Sequence, residues 1–350
     1  MLNGISFGSC VRLAALALAA CTISLLPRAA DAGGEGVLAA DQSVHDERFY
    51  RFVADGSRFE ILAQGFGWAE GPVWVPALDA LLFSDIAGDT VYRWRESEGV
   101  SEYLKPSGHP PDDGGHAWRG ANGLAVDARG RLLLAQQGRR VMTRMRAGLS
   151  APAPEFEVLA ERFRDARLNS PNDLTLTADG GVIFTDPPYG LAGFENSPDK
   201  ELAFSGIFHL APSGELRLLD DSLEKPNGVA LSIDQRRLYV SNSEPGRAAI
   251  HVYALDAQKR TADGRLFFDA AALEAGAEGS TDGMAMHRSG YLFVSLPGGV
   301  GILAPEGELL GRVLLGQVTN LAFGPDYRYL YVTQPDRLLR LPVSSGRALP

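Results

Sequence analysis

Six stretches of this chain repeat one grammar, and no other feature of it restricts the fold as much. They begin at Glu70 ("EGPVWVPALDALLFSDIAGDTVYRW"), Asn122 ("NGLAVDARGRLLLAQQGRRVMTRM"), Asn172 ("NDLTLTADGGVIFTDPPYG"), Asn227 ("NGVALSIDQRRLYVSNSEPGRAAIHVYAL"), Asp282 ("DGMAMHRSGYLFVSLPGGVGIL") and Asn320 ("NLAFGPDYRYLYVTQPDRLLRL"). The six starts are spaced by 52, 50, 55, 55 and 38 residues. In each, a polar residue, often followed by Gly, opens a short apolar strand. A turn follows, then a second strand of "LLFSD" or "LYVSN" type, then a loop and a third strand. Units of this size built only of short strands are the signature of four-stranded blades, so the chain is expected to be all-β, a six-bladed β-propeller. The last unit shows three strands before the chain ends. "SRFEILAQG" at 57–65 is an orphan strand before the first unit, and it is expected to complete the last blade. Phe59 to Leu62 would then lie beside Leu338 to Leu341, which closes the ring and removes exposed edges.

In a propeller the first strand of each blade lines the central channel, and the six polar starts stand at one mouth of it. Glu70, Asn172, Asn227 and Asp282 carry their oxygen donors in the settings that repeat most strictly. Two carboxylates and two amides form a hard, oxygen-only site of charge −2. Such a site suits one divalent metal ion, Ca2+ before the alternatives Zn2+, Mg2+ or Mn2+. Asn-Gly and Asp-Gly are also ordinary turn dipeptides. A Glu before Gly-Pro has no turn preference behind it, however, and six such positions in register argue for a site.

Two long Gly- and Pro-rich segments are placed to frame that mouth: 105–121, between the first two blades, and 186–206, within the third. They offer His116, Trp118, Arg119 and Tyr189 as substrate-facing side chains. His209, His251 and His287 fall in or beside strands and read as structural.

The formal net charge of −10 argues against a nucleic-acid partner. Residues 1–32 read as a signal peptide, with the apolar run "LAALALAACTISLL" and a cleavage motif "ADA" at 30–32. The localisation expected is periplasmic or secreted. "LAAC" at 18–21 also fits a lipoprotein box, which would tether the protein to a membrane through Cys21. Cys10 and Cys21 both lie in this leader, so a chain cut after Ala32 has no thiol chemistry and no Cys-ligated zinc. The domain reading is 1–32 signal, 33–56 N-terminal linker, 57–342 propeller and 343–350 tail.

"AEGPVW" at 69–74, "LNSPNDL" at 168–174, "TDPPYGL" at 185–191, "KPNGVALS" at 225–232 and "TDGMAM" at 281–286 resemble, in order, motifs of the regucalcin (senescence marker protein) and gluconolactonase family, most closely its bacterial gluconolactonase branch. The resemblance spans about residues 58–342. It implies one catalytic divalent metal and hydrolysis of a sugar lactone such as gluconolactone. It also implies that Glu70, Asn227 and Asp282 are metal ligands, that Asn172 is a ligand or a substrate contact, and that Asp282 is the general base. The candidate substrate contacts are Asn172, Asn122, His116 and Tyr189. Animal members of the family carry Arg where this chain has Ser170. Two other readings keep the same mouth: an aryl-ester or phosphotriester hydrolase, and a non-catalytic ligand-binding propeller.

Overall fold

The computed structural model describes residues 36–108, 118–261 and 264–344. Their strands form six antiparallel sheets of four or five strands arranged about one axis, four of them consecutive meanders and two completed by strands from before residue 65, and a small hairpin at 162–167. This is a six-bladed β-propeller. The innermost strands are Ala69–Val75, Ala121–Val126, Leu174–Leu176, Pro226–Leu231, Met284–Met286 and Asn320–Phe323. Among the described residues no helix is long and apolar enough to cross a membrane.

The core lies between blades rather than within one. Leu133 and Met142 of blade two pack with Phe184 and Phe208 of blade three; Phe293 and Ile302 of blade five pack with Leu330 and Val332 of blade six. Each sheet is therefore covered on both faces. That is why second strands such as Ala80–Asp85 and Val182–Asp186 are buried at every position instead of at alternate ones.

Arg58–Gln64 is the fourth strand of blade six, with Leu338 opposite Ala63 and Arg340 opposite Glu60. Arg340 fastens the joint with blade one. It donates to Glu60 at 3.0 Å and to Glu96, and its guanidinium lies between the rings of Trp94 and Tyr329.

Most of the segment read as a linker is ordered in the ring. Gly36–Ala39 adds a fifth strand to blade six, Asp41–Val44 adds one to blade five, and the short helical turn Glu47–Arg51 buries Phe49. Phe52 and Val53 follow it into the same core. Two four-residue strands are too short to show a periodicity of their own, which is why composition read them as linker.

Candidate metal centre

The innermost strands all begin at one end of the channel, and backbone bonding sets their alignment. The N–H of Asn172 donates to the carbonyl of Thr185, that of Asp282 to Ser295, and that of Thr319 to Thr333. Thr319 is therefore the sixth-blade equivalent of Asn172 and Asp282. Asn320 takes the place of Asp173 and Gly283. The repeat alignment on Asn320 is one residue late, because a Thr-Asn pair is polar at both candidate positions. A one-residue offset reverses the side chain's direction. Asn320 accordingly lies below the mouth, where Nδ2 donates to Glu70 Oε2 at 3.1 Å and Oδ1 accepts from the Leu321 N–H at 2.8 Å.

Glu70, Asn122, Asn172, Asn227 and Asp282 line one cavity of about 310 Å³ at the mouth. The glycines after four of them explain how five strands crowd together here. A Cβ on Gly71 would overlap the Asn122 carbonyl, and one on Gly228 the Asp282 carbonyl; Gly123 and Gly283 meet blades three and six in the same way. These glycines serve close approach between blades rather than turns. Where blade three has Asp173 instead, its carboxylate crosses the joint and accepts the Val229 N–H at 3.0 Å.

Burial dominates the electrostatics. It pushes Glu70 up to about 8, the Gly71 N–H pulling against it and the charge of Asp173 adding to it. Asp282 is raised well above the ordinary carboxylate range, first by burial and then by the charges of Glu70 and Asp173. Asp173, a third acid beneath the cavity, is pushed up to about 6, again chiefly by burial. Read from the sequence, Asp173 has no role of its own beside Asn172; its visible signal was an acid standing where four of the other blades place Gly.

The donor set fits a hard divalent cation on its own chemistry. Both protein bonds to Glu70 end on Oε2. Asp282 Oδ1 is a buried atom with no hydrogen-bond partner, and such an atom costs free energy until something binds it. Among the described residues no three carboxylates, imidazoles or thiols converge. Oxygen atoms of two acids and two amides are thus the available ligands, a set for Ca2+ or Mg2+ rather than for a soft metal.

The substrate-side candidates divide. Asn122 donates to Gln137 Oε1 at 3.1 Å and leaves its own buried Oδ1 unbonded at the cavity. Tyr189 lines the cavity within bonding reach of Ser243 and Asn227; burial, with the nearby Asp282 charge, raises its phenol so that it stays protonated. Trp118 lines the cavity and Arg119 does not. His116 lies outside the described residues. His209, His251 and His287 are all away from the mouth.

Ser170 has a structural task. Its hydroxyl donates to the Pro187 carbonyl at 2.6 Å and accepts from the Gly190 N–H at 2.8 Å, so it pins the turn that carries Tyr189. Asp186 holds the other side of that turn's base through the N–H groups of Asn169 and Ser170, each at 2.7 Å. Two aromatic wall residues were not anticipated: Trp68, edge-on to Trp118 with ring centres 5.0 Å apart, and Phe194, edge-on to Tyr189 at 6.5 Å. Trp68 stands two residues before Glu70, a proximity the sequence does show.

Comparison with known proteins points to one family. Residues 68–335 match the family model described as SMP-30/Gluconolactonase/LRE-like region. The chain is 38% identical over 289 residues to a gluconolactonase of Zymomonas mobilis, covering 81% of this chain and 80% of that protein. It is 26% identical over 273 residues to a pentonolactonase of Haloferax volcanii, covering 75% and 80%. The solved structure of a gluconolactonase from Xanthomonas campestris superposes with a TM-score of 0.75 at 31% identity, covering 90% of this chain and 99% of that one.

Proposed function

This chain belongs to the SMP-30/gluconolactonase/LRE-like family of lactone-hydrolysing hydrolases, and we propose that it is an exported, metal-dependent member acting on a sugar lactone such as gluconolactone, which it releases as the aldonic acid. The observation that carries the metal dependence is the convergence of Glu70, Asn172, Asn227 and Asp282 on one cavity, with Asp282 Oδ1 buried and unbonded. Those four side chains would hold the cation. When bound, it polarises the lactone carbonyl and neutralises charge that develops on the carbonyl oxygen.

The chain's own groups do the rest. The Asp282 carboxylate takes a proton from the attacking water as the new C–O bond forms. It returns that proton to the ring oxygen as the ring C–O bond breaks, so the product is the hydroxy acid and the enzyme is unchanged. Asn172 and Asn122 orient the lactone by their amides, and the Tyr189 hydroxyl donates to a substrate oxygen. Trp68, Trp118 and Phe194 flank the ring and limit water at the mouth. A lactone is an activated ester, so a carboxylate base suffices and no serine nucleophile is needed.

The test is lactone hydrolysis across ring sizes, with and without chelator. Loss of activity on chelation and recovery with added Ca2+ supports the reading; full activity in chelator overturns the metal. One observation favours a second substrate class on the same groups: four aromatic side chains at the mouth also suit an aryl ester. Export rests on the leader at 1–32, which lies outside the described residues. Intact mass of protein from the native envelope would show Gly33 or a lipidated Cys21 as the first residue, and retention of Met1 would overturn it.

A further inference from the structure

The last two residues of the second strand repeat from blade to blade: Ser84-Asp85, Ala135-Gln136, Thr185-Asp186, Ser241-Asn242, Ser295-Leu296 and Thr333-Gln334. The second member turns back to its own blade. Asp85 accepts the Trp68 N–H at 2.9 Å, Asp186 accepts those of Asn169 and Ser170, and Asn242 accepts that of Lys225 at 3.0 Å. These are the peptides that lead into Glu70, Asn172 and Asn227.

The first member reaches forward across the joint. Ser84 Oγ donates to the Asn122 carbonyl at 2.7 Å, Thr185 Oγ1 to the Asn227 carbonyl at 2.7 Å, and Ser241 Oγ to the Asp282 carbonyl at 2.9 Å. All three hydroxyl residues are fully buried. In blade two that position is Ala135, and the next carbonyl, Asn172, accepts the Gly123 N–H at 2.8 Å instead. In blade five Ser295 donates to Val318 at 2.6 Å, one residue short of the equivalent Thr319, whose carbonyl accepts the Gly283 N–H at 2.9 Å. Cross-blade bonds thus hold the backbone of each cavity-lining residue from Asn122 to Asp282.

We infer that Thr185 and Ser241 are positioning residues for the donor set, each fixing from the preceding blade the peptide whose side chain, Asn227 or Asp282, faces the cavity. A side chain held only through its own χ angles would swing with its peptide. Here the peptide is tied on one side to its own second strand and on the other to its neighbour's hydroxyl. The inference rests on the proposed metal reading for its first readout. Ser295 is the internal control, because it has the same place in its strand and the same burial, and its short bond, 2.6 Å, is aimed at the Val318 peptide, which carries no donor, beside only a longer contact of 3.4 Å to the Ser280 carbonyl.

The experiment compares Ser241→Ala, Thr185→Val and Ser295→Ala in the full mature chain. Thermal melting and Ca2+ titration by calorimetry are read separately. Each variant loses its buried cross-blade bond, and Thr185→Val also loses the bond that Thr185 Oγ1 accepts from the Asp173 N–H at 3.2 Å, so all three are expected to melt at least about 2–4 °C lower. Only Ser241→Ala and Thr185→Val should weaken Ca2+ binding, by about tenfold, the scale seen when a ligand's supporting bond is removed. Ser241→Thr and Thr185→Ser, which keep the hydroxyl, should restore affinity. Equal Ca2+ affinity in all variants, whatever their losses in melting temperature, overturns the inference. If Ser241→Ala does not fold, Thr185→Val against Ser295→Ala makes the same decision. If the parent binds no Ca2+, the metal reading fails by itself, and the pair is decided on lactone KM and kcat: a change confined to the Ser241 and Thr185 variants supports positioning, and no difference from Ser295→Ala overturns it.

Discussion

The innermost segment of blade five carries a buried titratable side chain at each end, Asp282 at the mouth and His287 at the far side, and each leaves one buried polar atom without a partner. The two are surrounded in opposite ways. Around Asp282 stand Glu70, Asn172 and Asn227, all facing one open space. Around His287 stand the rings of Phe52, Phe293, Phe323 and Tyr327, with centres 5.0 to 6.0 Å away, while Nδ1 is bonded to Ser289 at 2.6 Å. Burial forces both groups toward their neutral form: it raises Asp282 and lowers His287 to about 4. A perturbed group therefore does not by itself mark a site. What separates the two ends is shared open volume: donors from four blades converge on one, and packing fills the other.

The sharpest way to break that contrast is Asp282→Asn. An amide cannot take the water's proton, so kcat should fall on the order of a hundredfold or more, and excess cation should not restore it. Occupancy is to be measured independently by elemental analysis, and a near-parental rate at full occupancy would reduce Asp282 to a ligand. Glu70→Gln should fail differently. It removes one charge and keeps an oxygen, so the rate should fall at low Ca2+ and recover in part at high Ca2+. In the parent, Ca2+ at a hundred times its Kd should stabilise the fold by about 2.7 kcal/mol, seen as a higher melting temperature that chelator abolishes. No shift would remove the cation from the mouth.

The two ends should also separate by pH, with opposite signs. Glu70, raised to about 8, and Asp186, raised to about 7 by burial, hold protons in the folded chain that the unfolded chain has released. In chelator their contribution to stability is therefore largest below pH 4 and is lost as pH rises through 7 and 8. His287 acts the other way. Its folded pKa lies below the usual 6.5, so the unfolded chain takes up the proton first, and stability is lost as pH falls from 6.5 toward 4. His287→Phe should remove that acid-side loss from the melting curve measured against pH and leave Ca2+ affinity and kcat unchanged. A change in either would join the far end to the site. The smallest effect is expected from Ser170→Ala. Freeing the Tyr189 turn, which Ser170 holds by two bonds, should raise KM by about fivefold, with kcat nearly unchanged, if about 1 kcal/mol of that positioning reaches the substrate.

Much of this contrast could be read before any coordinates. Glu70, Asn172, Asn227 and Asp282 were legible because each opens a repeat, and the outer strand at Arg58–Gln64 because the last repeat lacks one. Asn320 was misaligned by one position, since Thr319 and Asn320 are both polar and only the backbone bonds to Thr333 show which is equivalent to Asp282. Asp173 and the aromatic walls of Trp68 and Phe194 depend on side-chain direction at a joint between blades, which no period within one strand encodes. The hydroxyls of Ser84, Thr185 and Ser241 were in plain view in the "FSD", "FTD" and "VSN" strings. Without geometry they read as the ends of strands.

The sixth blade is assembled from the two extremes of the chain: Glu60 and Arg340, bonded across it, are 280 residues apart. A ribosome makes Arg58–Gln64 long before its partner strand Arg337–Pro342. Until then the early strand, together with Gly36–Ala39 beside it, has no blade to join. The ring closes only once that partner strand is made, and contacts so distant in sequence form slowly. The mouth is a complete ring only afterwards, because Glu70 and its partner Asn320 sit on opposite sides of that last joint. The ring of strands that carries the donors is thus closed by a strand made well after the first donor, Glu70.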